Sequence, residues 1–399
     1  MSAHRPGIGR RSLLLGLAAG AALGASRLAF AAGPPGENRL VVVLLRGAMD
    51  GLAAVQPYGD PAFAGLRGAL ALPGPGSEGG VLDLGGFYGL HPRLTKLGAR
   101  YAAGEVIALH AVQGPTRSRS HFEAQDLLES GADHRLASGW LNRALAGMGD
   151  ATPSAEPGVR PGIAIGSDLP LLLRGAEPVG MYAPSRPDRP DADLTARLYE
   201  LNHADPVIGP AVAEGMRARG FTGRVVPPAD GRGGFARLAA GAGRILAAPD
   251  GPRVAAMELG GWDTHQSQEA RLAPVLTGLD DGLDALRLSL GEAWSRTAVL
   301  VMTEFGRTAR VNGSGGTDHG TAGAAFVLGG AVRGGRVIAD WPGLGEGQLH
   351  EGRDLGPTRD LRAVAKGLLR DHLRLSAAAV ARAFPGSEGI GATGGLLRG

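Results

Sequence analysis

The sequence predicts an α/β protein, a three-layer α/β/α sandwich on a mostly parallel sheet. Two observations carry this expectation. Continuous apolar runs alternate along the chain with helical patterns, and four of the six runs lead into short motifs of Asp, Glu, His, Ser or Arg. The strand candidates are Leu40–Leu45, Val106–Val112, Gly162–Ile165, Val254–Leu259, Ala298–Met302 and Ala324–Leu328. Most are apolar throughout rather than alternating, as expected for strands covered by helices on both faces. The clearest helix follows Asp263-Thr264-His265, where Leu272, Leu276, Leu279, Leu283, Leu286 and Leu290 form one stripe at alternating spacings of 4 and 3. A second helix is expected from near Thr358 past Leu373. Residues 150–235 are rich in Pro, Gly and charge with weak periodicity, and read as an irregular excursion from a single domain spanning 38–399.

Composition narrows the function classes. The 399 residues are 44% hydrophobic and 20% charged, which is globular composition. The absence of cysteine excludes disulfides, thiolate metal sites, cysteine nucleophiles, a lipoprotein anchor and iron–sulfur clusters. Residues 1–31 carry four arginines and no acid, so their removal turns the net charge of +3 into −1. Bulk charge therefore gives no support for nucleic-acid binding. Arg10-Arg11, an apolar stretch ending near Ser26 and Ala29-Phe30-Ala31 form a basic start, a short apolar core and a small-x-small end. This is the pattern of a signal peptide of the twin-arginine type. The apolar stretch falls short of the roughly 20 residues that span a bilayer. The expectation is export by the twin-arginine translocase and cleavage near Ala31, leaving a periplasmic or secreted protein with no membrane anchor.

In a parallel sheet, ligands bind at the carboxyl ends of the strands. There the sequence places Arg46-Gly47-Ala48-Met49-Asp50-Gly51, then Gly114-Pro115-Thr116-Arg117-Ser118-Arg119-Ser120-His121, then Gly260-Gly261-Trp262-Asp263-Thr264-His265. Thr303-Glu304-Phe305-Gly306-Arg307 and Gly316-Thr317-Asp318-His319-Gly320 complete the set. Asp50, His121, Asp263, His265, Glu304, Asp318 and His319 are oxygen and imidazole ligands suited to one or two divalent ions. Zinc, manganese or iron fits the imidazole-rich mixture, with calcium or magnesium as alternatives. Arg46, Arg117, Arg119 and Arg307 could clamp a tetrahedral anion. Structural readings stand beside these: Asp50-Gly51 as a turn, Ser120 with Glu123 as a capping box, Asp263 as a helix cap, and Glu304 paired with Arg307. His91, His110, His134, His203, His350 and His372 lack comparable partners and read as structural or surface residues.

The twin-arginine start, RGAMDGL, RSRSHFEAQDLLESG, GWLNRAL, LGGWDTH, TEFGRTARVNGSGGTDHG and GRDLGPTRDLRAV resemble, in order, the exported domain of unknown function 1501 family. The resemblance runs from about residue 38 to 375. That family looks related to the alkaline phosphatase and sulfatase superfamily, which implies an alkaline phosphatase-like sandwich and metal-dependent hydrolysis of phosphate or sulfate esters. Position by position, Asp50 resembles the first-strand metal aspartate, and Asp263 with His265 resemble ligands of the other metal. Glu304 stands where relatives have aspartate and Phe305 where they have a histidine ligand; Asp318-His319 either supplies that missing imidazole or matches a later metal histidine of the relatives.

The sulfatase frame reads Gln113-Gly114-Pro115-Thr116-Arg117, and glutamine cannot become formylglycine. The expected function is therefore hydrolysis of a small anionic ester, phosphate-type before sulfate. Thr116, Ser118 or Ser120 could then act as a metal-activated nucleophile, with Ser120 beside His121 preferred, and Arg117 or Arg307 would hold the equatorial oxygens. The alternative is a non-catalytic exported binding or assembly protein that retains the hydrolase fold.

Overall fold

The computed structural model describes residues 37–148, 161–183, 225–226 and 234–399. The twin-arginine segment and His203 lie outside the described residues, as does most of the 150–235 excursion. The strands among the described residues are β1 (Arg39–Leu45), β2 (Val55–Gln56), β3 (Leu82–Asp83), β4 (Gly89–Leu90), β5 (Val106–Gln113) and β6 (Gly162–Ile165). They continue with β7 (Gly180–Tyr182), β8 (Val254–Leu259), β9 (Thr297–Thr303), β10 (Gly323–Leu328), β11 (Arg336–Ile338) and β12 (Arg359–Asp360). The α-helices among the described residues are α1 (Gly51–Ala54), α2 (Phe63–Arg67), α3 (Thr95–Ala102), α4 (His121–Ser130), α5 (Trp140–Ala146), α6 (Gly234–Ala247), α7 (Gln268–Leu290), α8 (Leu361–Gly367) and α9 (Ala377–Ala383).

The main sheet runs β11-β5-β10-β9-β1-β8-β6-β7, with β12 also paired to β5. Its valine- and leucine-rich centre is buried on both faces. Val41, Val43 and Leu45 of β1 point into one core with the leucine stripe of α7 and the apolar face of α6. Leu40, Val42 and Leu44 point into the other, with α5, α8 and α9. The expected α/β/α sandwich is therefore present, and alternation along one strand divides its two cores. The 161–183 part of the excursion is regular, since β6 and β7 extend the sheet beside β8 in parallel.

One strand departs from the parallel expectation. β10 is antiparallel to both β5 and β9, while β1 is parallel to β8 and β9. This reversal has a functional consequence. β9 leaves the sheet at its carboxyl edge and β10 enters from that same edge, so the whole connection 304–322 stays there.

Helix α3 is capped from a distance. Asp280, on α7, accepts from the backbone N–H groups of Lys96 at 3.0 Å and Leu97 at 2.8 Å. Its carboxylate thus supplies acceptors to the first turn of a helix whose own N-cap residue, Leu94, has none to offer. Asp280→Ala is expected to lower stability by about 1–2 kcal/mol, read as a drop in thermal midpoint.

Two histidines set a pH dependence. His110 and His372 are 0% and 2% exposed, and their ring Nε2 atoms lie 2.9 Å from the Val55 carbonyl and 2.8 Å from that of Arg39. Burial pushes both down to about 4 from the usual value near 6.5. Between those values the unfolded chain binds the extra protons, so stability rises with pH. Their contribution is complete above about pH 6.5 and is lost as pH falls toward 4, up to about 3 kcal/mol for each ring. Denaturant midpoints measured from pH 7 to pH 4 should fall steadily; a flat profile would contradict this.

Candidate metal centre

The loops at the carboxyl edge are packed tightly enough to fix side-chain direction. Gly47, after β1, has φ of +114°, and a Cβ there would lie 2.8 Å from the backbone nitrogen of Asp263. A Cβ at Gly316 would lie 2.3 Å from the carbonyl carbon of His265. Glycine is what lets these loops touch. Trp262 is fully buried and donates Nε1–H to the Leu259 carbonyl at 2.9 Å, anchoring the turn that presents Asp263 and His265.

Three imidazoles converge on Asp263. Its Oδ1 lies 3.0 Å from His265 Nε2, 3.2 Å from His319 Nε2 and 3.6 Å from His121 Nε2. His265 Nε2 and His319 Nε2 are 2.9 Å apart. His121, Asp263 and His319 can bring their ligand atoms within 4.8 Å of one another.

The opposite ring nitrogens are all committed to acceptors. His121 Nδ1 lies 2.8 Å from Glu304 Oε1, His319 Nδ1 lies 2.8 Å from the Arg119 carbonyl and His265 Nδ1 lies 3.2 Å from Asp318 Oδ1. These partners assign the ring proton to Nδ1 in each neutral imidazole. All three Nε2 lone pairs then face the same space, and His121 Nε2 is buried with no hydrogen-bond partner. Lone pairs so placed repel unless a cation or a proton lies between them. Two donors each about 2.1 Å from one ion stand roughly 3–3.5 Å apart, close to the separations here. Nitrogen and oxygen donors without sulfur fit zinc or manganese, so a His/Asp/His metal site with His265 beside it is available.

Glu304 and Asp318 stand behind the imidazoles rather than among them. Glu304 is 2% exposed, and burial alone would push its carboxyl up. Hydrogen bonds from His121, Gln125 and the backbone N–H groups of Glu304 and Gly47 outweigh that and hold it at about 2. It is a carboxylate under all ordinary conditions. Its hydrogen bond in turn raises His121 above the usual histidine value against the effect of burial. Asp318 is lowered by hydrogen bonds from Asn312 and His265, Asp263 is lowered because its contact with Arg307 outweighs burial, and His319 is lowered by burial. Phe305 packs its ring 4.9 Å from that of His121 and 5.1 Å from that of His319, so it shapes the imidazole pocket without offering a ligand.

Several sequence expectations are corrected by these contacts. Asp50 does not join the cluster. It is fully buried, paired with the equally buried Arg67, bonded by Gln268 Nε2 at 2.5 Å, and caps α1 through the Ala53 N–H. Arg307 is not free to clamp an anion. Its donors go to the carbonyls of Ala48 at 2.8 Å, Thr317 at 3.0 Å, Gly47 at 2.7 Å and Trp262 at 3.0 Å, and to Asp263 Oδ1 at 2.5 Å. It stitches the loops together and is not paired with Glu304. Asp263 does not cap α7, whose N-cap residue is Ser267. Ser120 occupies the N-cap of α4 without a side-chain cap bond, and Glu123 accepts instead from Ser118 Oγ at 2.6 Å. Ser120, which precedes His121 in the chain, and Arg117 are both exposed. Arg119 is held by Asp354 and Glu351, and Arg46 by Glu129 and Glu258.

Sequence reasoning passed over Gln125, Gln268, Arg67, Asn312 and Asp354. Gln125 was within reach, since it lies four residues after His121 on one helix face. Gln268 Oε1 accepts from Thr264 Oγ1 at 3.0 Å and from Thr317 Oγ1 at 2.6 Å, tying the two ligand-bearing loops together across 49 residues of chain.

No curated protein matches the chain in sequence. A protein in the alkaline phosphatase superfamily from Vibrio parahaemolyticus is similar at 12% identity and a TM-score of 0.32, over 85% of this chain and 67% of that one. The alkaline phosphatase from the Antarctic bacterium TAB5 is similar at 11% identity and 0.33, over 74% and 92%. The phosphonate monoester hydrolase of Agrobacterium radiobacter is similar at 11% and 0.29, over 75% and 70%. A family model covers residues 106–384, which takes in the converging histidines, Asp263, Glu304 and Asp318. The chain belongs to the family described as "Protein of unknown function (DUF1501)".

Proposed function

We propose that this chain is an exported metal-dependent hydrolase of small phosphate-type esters. The observation that carries the reading is the convergence of three imidazole Nε2 atoms on Asp263 at 3.0–3.6 Å. In this reading His121, Asp263, His265 and His319 hold one divalent ion, zinc or manganese. Glu304 and Asp318 orient His121 and His265 through their Nδ1–H groups. The ion supplies Lewis-acid charge for the ester and its leaving oxygen.

The other roles belong to side chains at the mouth of the site. Asp263 is 46% exposed at its side chain, so the centre opens to solvent and to substrate. Ser120 Oγ is the proposed nucleophile, at a helix N-terminus whose dipole favours an anionic group. Arg117, exposed and three residues earlier in the same loop, is the proposed clamp on the ester oxygens. Sulfate esters rank second, because Gln113 occupies the position that a formylglycine would need. Among the described residues no helix is long and apolar enough to cross a membrane, and export by the twin-arginine translocase with cleavage near Ala31 is part of the proposal.

The second reading, an exported binding or assembly protein without turnover, is favoured by one observation. The buried Asp50–Arg67 pair takes the Asp50 carboxylate away from any second ion. The two readings separate on one screen: protein loaded with Zn²⁺ or Mn²⁺, offered p-nitrophenyl phosphate, its diester and the corresponding sulfate. Phosphate-ester turnover that chelator abolishes supports the hydrolase. No turnover from fully loaded, folded protein supports the binding protein.

A further inference from the structure

We propose that Asp354 is a positioning residue for His319, acting through two arginines that it holds. The proposal rests on the reading of His319 as a ligand. The Asp354 side chain is 0% exposed. Its Oδ2 accepts from Arg119 Nε at 3.0 Å and Nη2 at 2.6 Å, and its Oδ1 accepts from Arg353 Nε at 3.0 Å.

Each arginine then reaches His319 from a different direction. The Arg119 backbone carbonyl accepts the His319 Nδ1–H at 2.8 Å. Arg353 Nη2 donates to the His319 backbone carbonyl. One buried carboxylate therefore fixes both the acceptor that sets the ring tautomer and the backbone that aims the ring.

The platform beneath Asp354 is itself pinned. His350 N–H donates to the Asp354 carbonyl at 2.8 Å, Asp354 N–H donates to that of His350 at 3.0 Å, and Ala309 N–H donates to that of Arg353 at 3.1 Å. These bonds lay the turn 350–354 beside Thr308, and the neighbouring Arg307 bridges to His319. Glu351, at the exposed end, accepts from Arg119 Nη2 at 2.7 Å and balances the second guanidinium charge. A carboxylate present only for packing needs one counter-ion. Here both counter-ions end on the same histidine, which is the pattern of an outer shell that orients a ligand.

The test compares wild type with Asp354→Asn, Arg353→Met and Arg353→Lys. Arg353 has a side chain 46% exposed, so its replacement keeps the test decisive where Asp354→Asn fails to fold. Two readouts are used besides thermal melting. Long-range ¹H–¹⁵N correlation on metal-free protein reports the His319 tautomer, and competition with a chromophoric chelator reports Zn²⁺ affinity.

The expected result is a single Nδ1–H tautomer in wild type and a mixture in Asp354→Asn and Arg353→Met. Zn²⁺ affinity should fall about 10–100-fold in both, with partial recovery in Arg353→Lys. Folded variants with wild-type tautomer and affinity would overturn the positioning role. Wild type that takes up no Zn²⁺, with the tautomer still shifted in the variants, would support the positioning role and overturn the metal reading instead.

Discussion

Asp263→Asn is expected to weaken Zn²⁺ binding at least about 100-fold and to remove ester turnover, with the melting temperature unchanged within a few degrees. Zinc held by four protein ligands is worth about 10–16 kcal/mol in small domains, so one ligand carries about 3 kcal/mol. Asparagine keeps an acceptor for Arg307 Nη2, now 2.5 Å from Asp263 Oδ1, and so preserves the loop while withdrawing the charge. Isothermal titration with Zn²⁺ and a parallel melt measure both halves of the claim. Wild-type affinity in the variant would remove Asp263 from the ligand set.

Arg307→Met should act in the opposite way, on stability first. The side chain is 0% exposed, and its loss leaves four carbonyls and one carboxylate without their donor. Buried groups orphaned in this way cost on the order of 3–5 kcal/mol. Chemical denaturation should show that loss whether or not metal or an anion is present. A variant of wild-type stability whose only defect is weaker binding of inorganic phosphate would restore the clamp role that the sequence suggested.

The contrast between these two residues shows how far the sequence could be read. The fold was legible because Leu40–Leu45, Val254–Leu259 and Ala298–Met302 are apolar on both faces, which only a strand between two helical layers requires. The convergence of Asp263, His265, Glu304, Asp318 and His319 on one edge followed from strand direction, and the reversal of β10 strengthened it unannounced. The short strands β2, β3, β4, β7, β11 and β12 were missed because two or three residues carry no periodicity.

Roles at the site were harder to read than places. Asp50, Asp263 and Glu304 look alike as strand-end carboxylates. What separates them is the partner: a buried arginine for Asp50, three imidazoles for Asp263, and the back of one imidazole for Glu304. Arg67 meets Asp50 across 17 residues and Asp354 meets Arg119 across 235, and no local pattern announces either pairing. Arg307 failed as a clamp for the same reason, since backbone carbonyls gathered by folding have no signature in a one-dimensional sequence.

In the proposed function, this edge of the sheet holds a divalent ion between His121, Asp263, His265 and His319. Elemental analysis of the protein purified from its own host's export compartment, without chelator, tests it most directly. About one equivalent of zinc or manganese per chain is expected, lost in Asp263→Asn and retained when Asp50 is replaced by Asn. Well-folded protein with no bound metal, before and after incubation with Zn²⁺ and Mn²⁺, would contradict it.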